Sequence, residues 1–230
     1  MGWRDACTVV RRIAAADGSI GELLGRHYVL SWSARFFGTL ERAARLEARA
    51  AREQWLWAGA TGRFGPLTRG ELPGPGLGPD LVLDGHRALP TAVDEADRLV
   101  LDAVRPGTHE PVVVVVDARH PRVGRDPSHD RLGQRLTGAG TVRFDGVPVD
   151  PADVLGPAGR DEDMTPPHAA LAPHALGLML TQVALGVAEG RWRRPGTSAV
   201  PHAPPGCRTT TPISCWPTGS WRSPCTPPRR

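Results

Sequence analysis

The sequence predicts an α+β chain in which helices come first, a sheet occupies the middle and a helix returns at the end. Three observations carry this. Apolar residues near the start recur at helical spacing, as in Ala6, Val9, Val10, Ile13 and Ala14. The middle third holds five consecutive valines, Val112 to Val116, among other short apolar runs. Finally, Ala169 to Gly190 is one apolar stretch of helical character without a polar stripe. Helices, then strands, then helices make segregated layers and not alternating βαβ units. The expected division is a truncated N-terminal helical domain over residues 1–53 and a middle β-domain over 54–160. The first helix of a truncated C-terminal helical bundle follows over 168–190, then a disordered tail over 191–230.

Asp5 to Ala16 carries its apolar residues at i, i+3 and i+4, and Asp17-Gly18 interrupts it. Ser19 and Glu22 form an S-x-x-E capping box, which starts a second helix running to about Trp32. Thr39 to Arg52 is a third helix, rich in Ala, Glu and Arg, whose charges coat a solvated face. The character changes at Trp55-Leu56-Trp57-Ala58, a short apolar run that leads into a Gly/Pro-rich loop from Gly62 to Pro79. Leu81-Val82-Leu83 reads as a strand closed by an Asp84-Gly85 turn. Arg98 to Val104 follows as a second strand, and the five valines suit a strand buried on both faces. Thr141 to Phe144 alternates as a half-buried strand does, and Asp145-Gly146 marks another turn. Ala169 to Gly190 expects burial inside a bundle.

The last forty residues have a different origin. Thirty-seven of them are Ala, Pro, Ser, Thr, Arg, Gly, Cys or Trp, the exceptions being Val200, His202 and Ile213. All eight types have codons with G or C in the middle position. A GC-rich gene concentrates those bases at the third position, and a displaced frame moves them to the middle. The absence of Lys and Asn from the whole chain fits such a gene. Thr210 to Thr226, back-translated with free third bases and read one base earlier, permits Asp-Asp-Pro-Tyr-Ile-Leu-Leu-Ala-Tyr-Gly-Glu-Leu-Ala-Val-Ala-Val-His. The positions derived from Cys and Trp codons must then have T in the middle and be apolar, at places that suit an amphipathic helix. The tail therefore reads as an out-of-frame translation beginning near residue 190. Its composition also permits a genuine disordered Pro/Arg-rich arm.

The tail accounts for the basic net charge. The chain has 28 basic and 24 acidic residues, for +4. Seven of the basic ones and none of the acids lie in 191–230, leaving 28 − 7 = 21 Arg against 24 acids, or −3, over residues 1–190. A mildly acidic body lacks the electrostatic footprint of a nucleic-acid binder. Cys207, Cys215 and Cys225 lie in the tail without zinc-ligand spacing, which leaves Cys7 as a helix residue expected to be buried. Neither an apolar run of about 18 residues nor a secretory signal is evident, so the expected location is cytoplasmic and off the membrane.

Two stretches resemble a known family. Asp17 to Tyr28, DGSIGELLGRHY, is similar to the helical segment of the acyl-CoA dehydrogenase fold. It comes nearest the branch of reduced-flavin-dependent monooxygenases typified by dibenzothiophene and sulfone monooxygenases. Leu132 to Val149, LGQRLTGAGTVRFDGVPV, running on to Val154-Leu155-Gly156, resembles that family's L-G-x-R-x-[ST]…V-x-F-D-x-V-x-V…L-G signature. Leu81 to Arg87 and Ala96-Asp97 match the strand pair before it. The resemblance covers about residues 3–190.

It implies a helical domain, a β-domain and a four-helix bundle around a non-covalent flavin, FMN or FAD, in a homodimer or tetramer. The monooxygenase branch takes reduced flavin from a separate flavin reductase and uses O2 to oxygenate a small-molecule substrate, organosulfur compounds among them. An acyl-CoA dehydrogenase proper, or a non-catalytic fragment or binding protein, stands as the alternative. A bundle cut to one helix leaves apolar faces uncovered, so the chain as written is expected to be inactive.

Roles carry over residue by residue. Trp57, Ala58 and Gly59, with Ala60, match the loop that approaches the flavin ring, where small residues let backbone N–H groups come close. The alternative is that Trp55 and Trp57 pack between domains. Thr91 falls where relatives place a Ser or Thr beside the flavin, with a hydroxyl able to donate or accept; alternatively it caps a turn. His27, in Gly-x-His-Tyr, implies an imidazole on the substrate side of the flavin that handles a proton, or else a packing histidine. Tyr28 is its neighbour, Arg135 and Thr137 are expected to fix the sheet and the domain junction, and His129 stands where relatives often carry an aromatic. His86, His109, His120, His168 and His174 have no metal-site spacing, so no metal is expected.

Overall fold

In the computed structural model the described residues are 2–60, 68–69, 81–104, 111–127, 132–157 and 168–193. The loop Gly62–Pro79, except for 68–69, and His109, His129 and the tail from 194 onward lie outside them. Residues Met1–Arg193 form one compact unit of helices and a mixed sheet, the α+β class expected.

The N-terminal layer is α1 (Trp3–Ala16), α2 (Gly18–Ser31), the short α3 (Ser33–Phe37) and α4 (Leu40–Glu53). The start of α2 differs from expectation. Its N-cap is Asp17, whose Oδ1 accepts the N–H groups of Ser19 (2.7 Å) and Ile20 (3.2 Å). Glu22 is thereby left to pair with Arg26 one turn on, at 2.9 Å. A carboxylate at the Ncap satisfies two orphan donors at once, so it displaces Ser19 from that role. Thr39, expected as the first residue of the third helix, instead caps α4, accepting the Arg42 N–H at 3.2 Å.

The sheet comprises β1 (Trp57–Ala60), β2 (Thr68–Arg69), β3 (Leu81–Leu89), β4 (Arg98–Val104), β5 (Pro111–Asp117), β6 (Val123–Asp126), β7 (Gly140–Val149) and β8 (Val154–Pro157). Their order is β6-β7-β3-β2-β4-β5-β8, with β1 pairing in parallel with β4. The two Asp-Gly pairs expected to be turns are not turns. Both lie mid-ladder in the antiparallel β3–β7 pair, where the register slips between Leu83 and Gly85. Asp84 Oδ1 accepts the Gly146 N–H at 2.7 Å and Gly146 has φ +63°. Long-range pairing on both sides turned two local turn signals into one bulge.

The valine strand is buried on both faces, as expected. Val113 and Val115 join the helical core with Val100, while Val112, Val114 and Val116 join the sheet core with Leu99 and Leu101. The strand pair β4–β5 thus divides two cores.

The last helix, α5 (Leu171–Arg193), extends three residues past the expected end at Gly190. One face packs on α1 and α2 through small residues. A Cβ on Gly186 would meet Arg11 O at 2.3 Å, and one on Gly190 would meet Ala15 O at 2.0 Å. Arg11 and Glu189 form an ion pair beside this crossing. The opposite face is not buried: Leu171, Leu178, Leu185 and Trp192, seven residues apart, are exposed. This helix, over Leu171–Trp192, is long and apolar enough to cross a membrane by length and composition alone, with a mean hydropathy of 1.5. That corrects the expectation that no such stretch exists, although a packed core helix passes the same test. Cys7 is only partly buried in α1, and burial raises its thiol pKa.

Replacing Gly186 by Val forces α5 off α1, because backbone atoms cannot retreat as a side chain can. We expect a loss of about 3 kcal/mol in urea unfolding. Gly177→Ala, at a position open to space, leaves the midpoint near that of the parent or above it.

Candidate functional site

The site is built where α2, α4 and β1 meet. Close packing sets the position of α2: a Cβ on Gly21 would lie 2.5 Å from Ala14 Cβ, and Gly25 faces Met179. His27 projects from the following turn toward the start of β1. Its Nδ1 accepts the backbone N–H of Trp57 at 3.3 Å, so the ring carries its proton on Nε2. The Tyr28 ring stands edge-on to it with centroids 5.5 Å apart. A cleft of about 470 Å³ opens beside the imidazole, with Ser31, Trp32, Glu47 and Gln54 in its walls. A smaller one of about 210 Å³ lies toward Gly2, Trp3 and Ala6. Burial holds the His27 pKa below the ordinary imidazole value.

Trp57, Ala58 and Gly59 serve the junction between the two cores. Trp57 is 3 % exposed, and its ring meets Trp55 edge-on at 5.5 Å. Arg98 lies over Trp55 at 4.2 Å. Ala58 is wholly buried in the sheet core. Gly59 has φ +147°, and a Cβ there would lie 2.1 Å from Val100 O, so only glycine lets β1 lie against β4. What β1 offers a neighbour is backbone, as the Trp57 N–H already does for His27.

Thr91 is different. It is 1 % exposed, and its Oγ1 has no hydrogen-bond partner among the described residues. Next to it Ala92 holds φ +55°, a conformation fixed by two bonds: Ala92 N–H to Thr137 O at 2.7 Å and Val93 N–H to Gly138 O at 2.8 Å. Thr137, itself fully buried, donates its hydroxyl to Gln134 O at 3.0 Å. The L-G-x-R-x-T segment therefore braces the Thr91 loop. A buried hydroxyl without a partner is rare in folded chains and calls for a specific cause, such as an ordered water or a bound polar group.

The structure joins His27 to Trp57 directly and bonds Thr91 Oγ1 to neither. Among the described residues no three His, Cys, Asp or Glu side chains converge as metal ligands do. Sequence reasoning missed Asp97, which holds the entry to β1. Its Oδ2 accepts the Leu56 N–H at 2.8 Å, and its Oδ1 pairs with Arg119 at 2.7 Å. The available signal was a carboxylate directly before an apolar strand, the last of the group Asp94, Glu95 and Asp97.

With this geometry established, comparison with known proteins identifies its kin. No family model matches the chain. A protein of Pseudomonas putida named "probable FMNH2-dependent monooxygenase SfnC" is 26% identical over 190 residues, 82% of this chain and 46% of that protein. The dibenzothiophene monooxygenase of Rhodococcus erythropolis is 30% identical over 161 residues, 67% of this chain and 38% of its own length. Among solved structures, the complex of TdsC from Paenibacillus sp. A11-2 with FMN and indole superposes with a TM-score of 0.69. It is 26% identical and covers 83% of this chain and 49% of that one. The fold is thus that of the acyl-CoA dehydrogenase family, shared with TdsC, which was solved with FMN. Within it the chain is a homologue of the FMNH2-dependent dibenzothiophene and sulfone monooxygenases, and it spans about half the length of the curated relatives it matches.

A histidine kept neutral by burial makes the fold sensitive to acid. The unfolded chain binds a proton near pH 6.5 and the folded one only at lower pH, so this contribution is full above about pH 6.5 and is lost as pH falls toward the folded value. Urea midpoints measured between pH 7.5 and 5 should fall less steeply for His27→Gln than for the parent chain.

Proposed function

We propose that the chain is part of a reduced-flavin-dependent monooxygenase that binds FMN non-covalently and oxygenates a small organosulfur compound with O2. The observation that carries this reading is the unpartnered Thr91 hydroxyl, within a fold whose relative TdsC was solved with FMN. Bound flavin supplies the redox chemistry with oxygen. The residues of this chain do the rest. Thr91 offers a hydroxyl that donates or accepts as the flavin edge changes protonation. The Gly59 segment brings β1 backbone close, and the walls of the His27 cleft exclude water. His27, neutral and with its Nε2–H directed away from Trp57, donates a hydrogen bond to an oxygen atom beside it and can return a proton. A separate flavin reductase supplies the reduced cofactor, and the intact protein works as a homodimer or tetramer.

We further read residues 168–193 as the first helix of a C-terminal bundle, and the tail as an out-of-frame product of the same gene. The exposed row Leu171, Leu178, Leu185 and Trp192 supports this, because a helix of a closed bundle covers such a row. Resequencing codons 185–235 tests it. A missing or added base near codon 190 supports the reading, and an intact frame sinks it.

The cofactor assignment is tested by Thr91→Val and Thr91→Ser. Removing an unpaired buried hydroxyl stabilises the flavin-free chain by about 1 kcal/mol in the Val variant. The same change weakens FMN about tenfold by fluorescence quenching, while Ser retains the parent affinity. Equal FMN affinity in all three would show that Thr91 only packs. For the activity, the frame-corrected protein with a flavin reductase, NADH, FMN and dibenzothiophene should give the sulfoxide or sulfone by mass spectrometry. Product formation that persists in His27→Gln would remove His27 from the chemistry.

A further inference from the structure

Three bonds fix Leu56 from the β4 side. Its N–H is taken by the Asp97 carboxylate at 2.8 Å. Its C=O is taken by the Asp97 N–H at 2.9 Å, with the Arg98 N–H at 3.3 Å. The carbonyl of Leu56 and the N–H of Trp57 belong to one planar peptide group, so the bonds that orient the first orient the second. That second group is the donor to His27 Nδ1. Asp97 is in turn anchored by Arg119 at 2.7 Å, and its own C=O accepts the Ala118 N–H at 3.1 Å. The carboxylate thus holds the peptide before Leu56 and the Asp97 N–H holds the peptide after it, so residue 97 fixes Leu56 on both sides of its Cα.

We propose that Asp97 is the positioning residue for His27: by gripping Leu56 at both ends it aims the Trp57 N–H at Nδ1, which fixes the Nε2–H tautomer and the direction in which the ring presents its proton. The functional weight of this rests on the reading of His27 above, whereas the linkage itself stands on the geometry alone. The other titratable groups around the imidazole do not perform this task. Glu47 on α4 shares the larger cleft and is paired with Arg35, and Tyr28 meets the ring edge-on. The neighbouring Arg26 on α2 is paired with Glu22, and α1 contributes only Gly2, Trp3 and Ala6 to the smaller cleft. A neutral imidazole accepts the Trp57 N–H and a protonated one cannot, so this bond favours the neutral form.

The sign of the effect separates positioning from simple electrostatics. Deleting a nearby negative charge lowers a histidine pKa, whereas loosening the Trp57 N–H raises it. Nitrogen-15 NMR of the full chain, with His27 assigned by His27→Gln, reads both the titration midpoint and the tautomer. In the parent chain we expect Nδ1 to be the unprotonated nitrogen. In Asp97→Ala the midpoint moves up toward the ordinary value of about 6.5 and the two tautomers begin to average. Asp97→Asn, whose amide oxygen makes a weaker bond to the Leu56 N–H, gives a smaller rise. A downward or absent shift in folded Asp97→Ala, or a parent ring protonated at Nδ1, overturns the proposal. Should Asp97→Ala not fold, the comparison of Asp97→Asn with the parent decides in the same way. FMN affinity measured on the same samples reports separately on the flavin reading, since the midpoint shift requires no flavin.

Discussion

The double-sided burial of β4 and β5 is the constraint on which the rest of the structure depends. A strand serves two cores where its successive positions are apolar, as Val112 to Val116 and Leu99 to Leu101 are, while the buried Asp102 of β4 pairs with Arg87. Their odd and even positions face opposite layers, so the helices and the rest of the sheet are both held in register to one strand pair. Fully burying side chains of this size contributes about 1.5–3 kcal/mol each. β1 inherits its position from it, because Gly59 lets backbone lie directly against Val100.

The candidate site is placed by the same anchor. β4 begins at Arg98, directly after Asp97, and Asp97 secures the entry to β1. The Trp57 N–H then stands at the edge of the helical layer, where α2 brings His27 to it. The Thr91 loop is held from a different side, by the 3-10 turn at Arg135–Thr137 that precedes β7. Two polar side chains are thus fixed by separate strand systems.

Much of this was legible in the residues. The helix end at Ala16, the start of a helix near Thr39 and the valine strand follow from spacing and composition, which are local properties. The signature from Leu132 to Val149 pointed to the kin that comparison identified. What escaped was whatever two distant segments decide together. Asp84-Gly85 and Asp145-Gly146 each look like a turn alone, and only their mutual pairing makes a bulge. Asp17 took the cap of α2 from Ser19 because its side chain reached two free N–H groups. At the site, Trp57, Ala58 and Gly59 carry the packing of the junction, and Asp97 is important only through Leu56, forty-one residues earlier.

The sequence by itself determined the class of fold, the two-faced strand, the apolar character of the last helix and the family resemblance. Each of these is written in residue types at short spacing, where burial and backbone preference act within a few positions. Tertiary structure alone decided that burial lowers the His27 pKa and that its Nδ1 accepts the Trp57 N–H, that the Thr91 hydroxyl has no partner among the described residues, and that one face of α5 stands exposed. Tautomer, desolvation and the satisfaction of a polar group depend on which atoms from remote segments lie within about 3 Å, and no local pattern of residues encodes that distance.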